Sequence, residues 1–67
     1  MTVATQVKQT IAGLRSAQAS FEQFALQTEN EQAKQLYQNA AEQTKAILES
    51  VETRLQQIEQ EEPQYRS

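Results

Sequence analysis

The feature that most constrains this chain is a short polar stretch, Gln27-Thr28-Glu29-Asn30-Glu31, which divides two long segments of helical periodicity. Thr28 and Glu31 have the spacing of a capping box, in which the hydroxyl accepts the N–H of the residue three positions later and the carboxylate reaches back. Asn30 is a second possible N-cap. A polar turn between two amphipathic segments predicts a helical hairpin, because short connections join antiparallel neighbours.

The segment before the turn predicts a first helix over residues 3–27, with Thr2 as its N-cap. Apolar residues recur there at steps of three and four. One heptad position carries Val7, Leu14, Phe21 and Thr28, the next core position carries Thr10, Ala17 and Phe24, and the stripe is widened by Ala4, Ile11 and Ala25. A stripe three positions wide is typical of a helix in a bundle rather than in a two-stranded coiled coil.

The segment after the turn predicts a second helix over residues 31–60, since neither glycine nor proline occurs between the turn and Pro63. A flexible tail is predicted over residues 61–67. The period is carried by Ala33, Leu36, Tyr37, Ala40, Ala41, Thr44, Ile47, Leu48, Val51, Leu55 and Ile58. Antiparallel folding about Glu29 pairs residues whose numbers sum to about 58. The pairing predicts layers that join Phe21 to Tyr37, Ile11 to Ile47 and Val7 to Val51. We therefore expect a single all-α domain, a two-helix antiparallel hairpin.

Energetics predict that one hairpin does not suffice. The chain has 67 residues and neither cysteine nor histidine, so disulfides and the usual zinc ligands cannot stabilise it. Ordering it costs about 100 kcal/mol at about 1.5 kcal/mol per residue, and a compact globule of this mass would recover a similar amount from apolar burial. A hairpin is less compact than a globule. We therefore expect self-association, two hairpins forming a dimeric four-helix bundle.

Three groups of residues are candidates for contacts with a second copy or another partner. The first is a stripe of small residues that could let a helix approach closely, although Gly13 could equally be a tolerated exposed glycine: Gly13, Ala17 and Ser20. The second lies on the second helix and comprises Leu36, Leu48 and Leu55, toward the flank of its stripe, and Ile58, which has no opposite number on the first helix. The third is Tyr65, in a tail that is either solvated or a short acidic and aromatic docking segment.

Composition argues against several functions. The net charge of −3 and the pI of about 4.8 disfavour a nucleic-acid binder and a basic membrane-surface helix. No apolar run approaches a membrane span, and no signal peptide is recognisable, so we expect a cytoplasmic protein without membrane insertion. No residues suggest catalysis, a cofactor or a metal site, and we expect a non-enzymatic structural or interaction module. The alternative is a carboxylate-rich ion or small-ligand binding protein using Glu59, Glu61 and Glu62.

Several segments together resemble a small uncharacterised family of endospore-forming bacilli, known only as a domain of unknown function. The resemblance covers nearly the whole chain and is carried by Met1-Thr2-Val3-Ala4, Gln6-Val7-Lys8-Gln9-Thr10, Phe24-Ala25-Leu26-Gln27-Thr28, Ala33-Lys34-Gln35-Leu36-Tyr37, Gln56-Gln57-Ile58 and Glu61-Glu62-Pro63-Gln64-Tyr65. It implies a sporulation-associated protein that acts with an integral inner-membrane protein in spore resistance or germination. The location it implies is the forespore or spore core, next to the inner membrane. It implies no catalytic residues.

Overall fold

The computed structural model describes residues 3–61, which form two α-helices joined by a short turn. Helix α1 spans Val3–Gln27 and helix α2 spans Glu31–Glu61. The helices pack antiparallel, with Lys8 near the start of α1 paired to Glu59 near the end of α2. The predicted all-α hairpin is therefore confirmed. Thr2 and Tyr65 lie outside the described residues, as do the other residues of 1–2 and 62–67.

The end of α2 differs slightly from the prediction. The sequence predicts that the tail begins at Glu61, but α2 includes that residue. The next helix-breaking residue along the chain is Pro63, and its ring restricts the residue before it rather than Glu61. The helical backbone can therefore continue through Glu61.

Asn30, rather than Thr28, caps α2. Its Oδ1 accepts the backbone N–H of Ala33 at 2.9 Å. The Thr28 hydroxyl instead accepts the N–H of Asn30 at 3.2 Å, so the predicted capping box that began at Thr28 is wrong. The reason is that Thr28 still belongs to the last turn of α1, where its N–H donates to the carbonyl of Phe24 at 3.0 Å. The first residue beyond that turn with a capping side chain close enough to α2 is Asn30.

The seam between the helices is rotated relative to the predicted one. Among residues 3–61, the fully buried ones are Ala4, Ile11 and Ala25 on α1 and Ala41 and Leu48 on α2. Within each helix they are separated by seven residues or a multiple of seven, so they occupy one heptad position, which we call position a. The same position includes the half-buried residues Gln18, Lys34 and Leu55. On α1 this is the line of residues predicted only to widen the stripe. At the predicted second core position, Thr10 and Phe24 are exposed instead, and Ala17 is half-buried.

Two neighbours on α2 exchange their predicted roles. Leu48, predicted on the flank as a partner contact, is 2% exposed and lies in the seam. Ile47, predicted to meet Ile11, is 55% exposed. Consecutive residues are about 100° apart around a helix, so a modest rotation exchanges which of the two faces the other helix. Leu48 is therefore a core residue and is not available to a partner.

Contacts between the helices join residues further apart in sequence than the predicted pairing. The predicted pairing joins residues whose numbers sum to about 58. The sum is 61 for Phe24 and Tyr37, whose ring centroids are 5.5 Å apart, and 67 for the ion pair of Lys8 and Glu59. Side chains lean toward the N-terminus of their own helix, so in an antiparallel pair they lean toward each other. They meet between the levels of their Cα atoms, and the long ionic side chains span the largest separation.

Candidate interaction surface

Ion pairs cross one long side of the hairpin, in the half away from the turn. Lys8 Nζ lies 3.2 Å from Glu59 Oε2, and the Arg15 guanidinium pairs with the carboxylate of Glu52. All four residues follow a position a by four residues, so both pairs lie on the same side of the seam. Their side chains are 18% to 58% exposed, and pairs of this kind contribute up to about 1 kcal/mol each. Complementary charges at matching positions of two helices favour the pairing that brings them together.

The opposite side of the hairpin is apolar and uncovered, and we call it the open face. Two lines of residues form it on each helix. The residues three places after each position a are half-buried, and most of the residues one place before each position a are exposed. Between residues 3 and 58, Arg54 is the only charged residue at these positions. The open face consists of Val3, Val7, Thr10, Leu14, Ala17, Phe21, Phe24 and Thr28, and of Ala33, Tyr37, Ala40, Thr44, Ile47, Val51, Arg54 and Ile58.

The threonine hydroxyls of the open face already have partners within the hairpin. Thr44 donates to the carbonyl of Ala40 at 2.8 Å, and Thr10 donates to the carbonyl of Gln6 at 3.0 Å. The hydroxyl of Thr28 accepts from the backbone of the turn. Polar groups that are already hydrogen-bonded can be buried without the penalty of an unmade bond. Covering this face with another apolar surface would therefore leave these hydroxyls satisfied.

The two ends of the open face differ in shape. Near the turn, the ring of Phe24 is 44% exposed and packs edge-on against the rings of Phe21 and Tyr37, at centroid distances of 6.3 and 5.5 Å. Near the other end, a groove runs between the helices, and it is lined by Val7, Ser50, Val51, Arg54, Leu55 and Ile58. The face thus carries a projecting aromatic ring at one end and an aliphatic hollow at the other.

The structure places most of the predicted contact residues on or beside the open face. Leu55 and Ile58 line the groove, and Ala17 lies on the face itself. Gly13, Ser20 and Leu36 are exposed along its edges. A Cβ atom added to Gly13 would meet nothing within 4 Å, so the hairpin alone does not require glycine there. The structure thus places Gly13, Ser20 and Leu36 at the border of the open face.

Phe24 and Ile47 are the principal surface residues that the sequence interpretation missed, because it assigned both to the core. A signal that could have placed them is the charge pattern. Lys8 and Arg15 recur at one heptad position of α1, and acidic residues recur at the equivalent position of α2. Complementary charges at matching positions mark the closed side of a helix pair, which leaves the other edge of the stripe outside.

Carboxylates of the described residues bear on the ion-binding alternative. Between residues 3 and 61, no group of three or more His, Cys, Asp or Glu side chains is arranged to hold a metal ion. Of the carboxylates considered for ion binding, Glu59 is paired with Lys8, and Glu62 lies outside the described residues. The carboxylate-binder alternative stays a prediction. No helix within residues 3–61 is both long and apolar enough to cross a membrane.

Comparison with known proteins gives one match. The model of a family described as a protein of unknown function (DUF1657) matches residues 7–55. The matched region contains the turn, three of the four ion-pairing residues among residues 3–61 (Lys8, Arg15 and Glu52) and most of the open face. No curated protein and no solved structure matches the chain.

Proposed function

The chain belongs to the DUF1657 family, whose function is unknown, and we propose that it acts as a non-enzymatic interaction module that dimerises into a four-helix bundle. The observation that carries this proposal is the open face, a continuous apolar surface along both helices. Contiguous exposed apolar surfaces of this kind are characteristic of interaction sites in soluble proteins. Ion pairs close the other side, so the open face is the side on which two hairpins stack.

The heptad pattern supports stacking of hairpins in particular. In a four-helix bundle each helix contacts one neighbour in its own layer and one across the layers, while a third line of residues points to the bundle axis. Position a meets the other helix of the hairpin and carries all five buried residues among residues 3–61. Residues three places later are half-buried, as a central line would be before the second layer is added. Residues one place before position a, such as Ile47 and Phe24, would meet the second layer.

The dimensions and the small core also support association. The Cα atoms extend over 49 × 19 × 11 Å, so the broad face measures about 900 Å², against about 800 Å² per partner in a standard interface. Three of the five fully buried residues are alanines, which contribute little apolar area. A second hairpin would bury the larger side chains that one hairpin leaves half-exposed.

A pair of neighbouring substitutions tests the dimer. Ile47→Asp places a charge on the open face, whereas Ala46→Asp places the same charge one residue away, at an exposed position on the back of α2. Burying an unpaired carboxylate is costly, so we expect Ile47→Asp to be monomeric at concentrations where Ala46→Asp and the unmodified chain are dimeric. Mass by light scattering over a dilution series measures this. Equal dimer content in the two variants would contradict the use of the open face.

The cellular setting that we propose rests on the resemblance described above. It is that the dimer works in sporulation, beside an integral protein of the spore inner membrane. The exposed Leu36 and the tail after Glu61 are the proposed contacts. Capture of that membrane protein from spore extracts should weaken when Leu36 is replaced by aspartate or residues 62–67 are removed. Undiminished capture by both variants would show that neither contact is used.

A further inference from the structure

We infer that two copies pack with their turns at opposite ends, so that the Phe24 ring of each copy enters the groove beside Val7, Val51 and Ile58 of the other. The inference rests on the proposed dimer and specifies its arrangement. It assigns an aromatic side chain of a second copy as the occupant of the groove. It follows from the different shapes of the two ends of the open face.

The ring of Phe24 is suited to enter a pocket on another molecule. It is 44% exposed although it is one of the largest apolar side chains in the chain. Edge-on contacts with Phe21 and Tyr37 hold it in place, with centroids 6.3 and 5.5 Å away. A side chain held by its own helix pair loses little conformational freedom on binding, which is a property of interface anchors.

The groove is suited to receive such a ring. Four of its lining residues are aliphatic, and the two others, Ser50 and Arg54, are exposed at its rim. The Arg54 guanidinium donates to Gln57 Oε1 at 3.3 Å, on the same helix. An arginine at the edge of an aromatic pocket can lie against the face of the ring. This placement gives a role to the one charged residue of the open face between residues 3 and 58.

The spacing of ring and groove fits a twofold axis. Phe24 and Val7 are 17 residues apart on α1, or about 25 Å at 1.5 Å per residue. The midpoint between them lies level with Leu14 and Ala17, and the midpoint between Tyr37 and Val51 on α2 is Thr44. An axis at this level, between the layers and perpendicular to the helices, brings each ring to the other copy's groove. An isologous contact of this kind is formed twice in each dimer.

Side chains near the midpoint allow the layers to come together. Ala17 and Ala40, which lie on the face close to this level, are small. The hydroxyl of Thr44 is already bonded to the Ala40 carbonyl, so it can be buried at the axis. The aromatic cluster thus lies at one end of the face and the groove at the other, on opposite sides of the axis.

Packing with both turns at the same end lacks this complementarity. Each Phe24 would then face the other copy's aromatic cluster, and the two grooves would face each other without a side chain to fill them. Unfilled apolar space forfeits the contacts that its lining could make. The two Arg54 side chains would also approach each other across an apolar interface, where like charges repel more strongly than in water.

Distances between spin labels distinguish the arrangements, and the chain has no native cysteine to interfere. Glu29 in the turn lies about 20 Å along the helices from the proposed axis, so labels on Glu29→Cys should be about 40 Å apart. Packing with the turns together would bring them within about 20 Å. Labels on Gln43→Cys, near the axis, should be close in either dimer and show that a dimer has formed.

A substitution tests the ring itself. Phe24→Ala should weaken dimerisation about 100-fold, because each dimer loses two anchoring side chains. Leu26→Ala, at a residue that is 85% exposed and off the open face, should change it less than threefold, or about 0.7 kcal/mol. Helicity at high concentration confirms that each variant folds.

The outcomes separate this inference from the proposed function. A long Glu29 distance with selective weakening by Phe24→Ala supports both. A dimer with a short Glu29 distance, or one that Phe24→Ala and Leu26→Ala affect equally, overturns the arrangement and leaves the interaction module standing. A fully helical monomer at every concentration by light scattering overturns both.

Discussion

Replacing Leu48 with alanine tests the seam directly. Leu48 is 2% exposed, the lowest value among the core residues, and the change removes three buried carbon atoms. At about 0.8 kcal/mol per carbon the lost transfer free energy is about 2.4 kcal/mol, and the cavity raises the cost to about 3 kcal/mol. The total stability of a chain of 67 residues is about 3–10 kcal/mol. The substitution should therefore remove a large share of it.

The chain supplies a control of identical chemistry. Leu26 is also helical and is 85% exposed, so Leu26→Ala should change the free energy of unfolding by at most about 0.5 kcal/mol. Denaturant unfolding followed by far-ultraviolet helicity measures both variants, at one protein concentration because association contributes to stability. Equal losses for the two variants would refute the seam. The rotation that places Leu48 inside and Ile47 outside would then be wrong.

Three further predictions concern the turn, the ion pairs and the glycine. Asn30→Ala should lower the free energy of unfolding by about 1 kcal/mol, while Glu31→Gln changes it little, in the same unfolding assay; the reverse order would favour the capping box. A double-mutant cycle on Lys8 and Glu59 should give a coupling of about 0.2–1 kcal/mol that shrinks with added salt, and a salt-independent coupling would contradict an exposed pair. Gly13→Ala should raise thermal stability by about 0.5–1 kcal/mol, whereas a loss would mean that a second copy occupies the space.

The proposed dimer gives the ion pairs a role beyond their small energies. Arg15 and Glu52, like Lys8 and Glu59, close one side of the hairpin and are solvated there. The same charges on the open face would have to be desolvated in a bundle, which is unfavourable without compensation. Charge is thus concentrated on the side where water remains. This division makes one face of the hairpin specific for another apolar surface.

The candidate surface could be predicted only in part. The sequence predicts Ile58 as a contact because it has no opposite number in one hairpin. It predicts Leu55 because it lies toward the flank of the stripe, and Ala17 because small residues at helical spacing let another helix approach. Phe24 was assigned to the core because a large aromatic residue on an apolar stripe is normally buried. Its exposure depends on which edge of a three-position stripe the other helix covers, and both edges satisfy the same periodicity.

Local information in the sequence determined the two helices and the turn between them. Helical hydrogen bonds join residues four apart, so the apolar period and the polar break at residues 28–30 were sufficient to predict an all-α hairpin. Tertiary contacts decided the rotation that buries Leu48 instead of Ile47, whereas the cap at Asn30 rests on local hydrogen bonds to Ala33 and Thr28. The physical reason is that a rotation of each helix leaves its own hydrogen bonds unchanged. Only contacts between residues distant in sequence, such as Arg15 with Glu52 and Phe24 with Tyr37, distinguish one rotation from another.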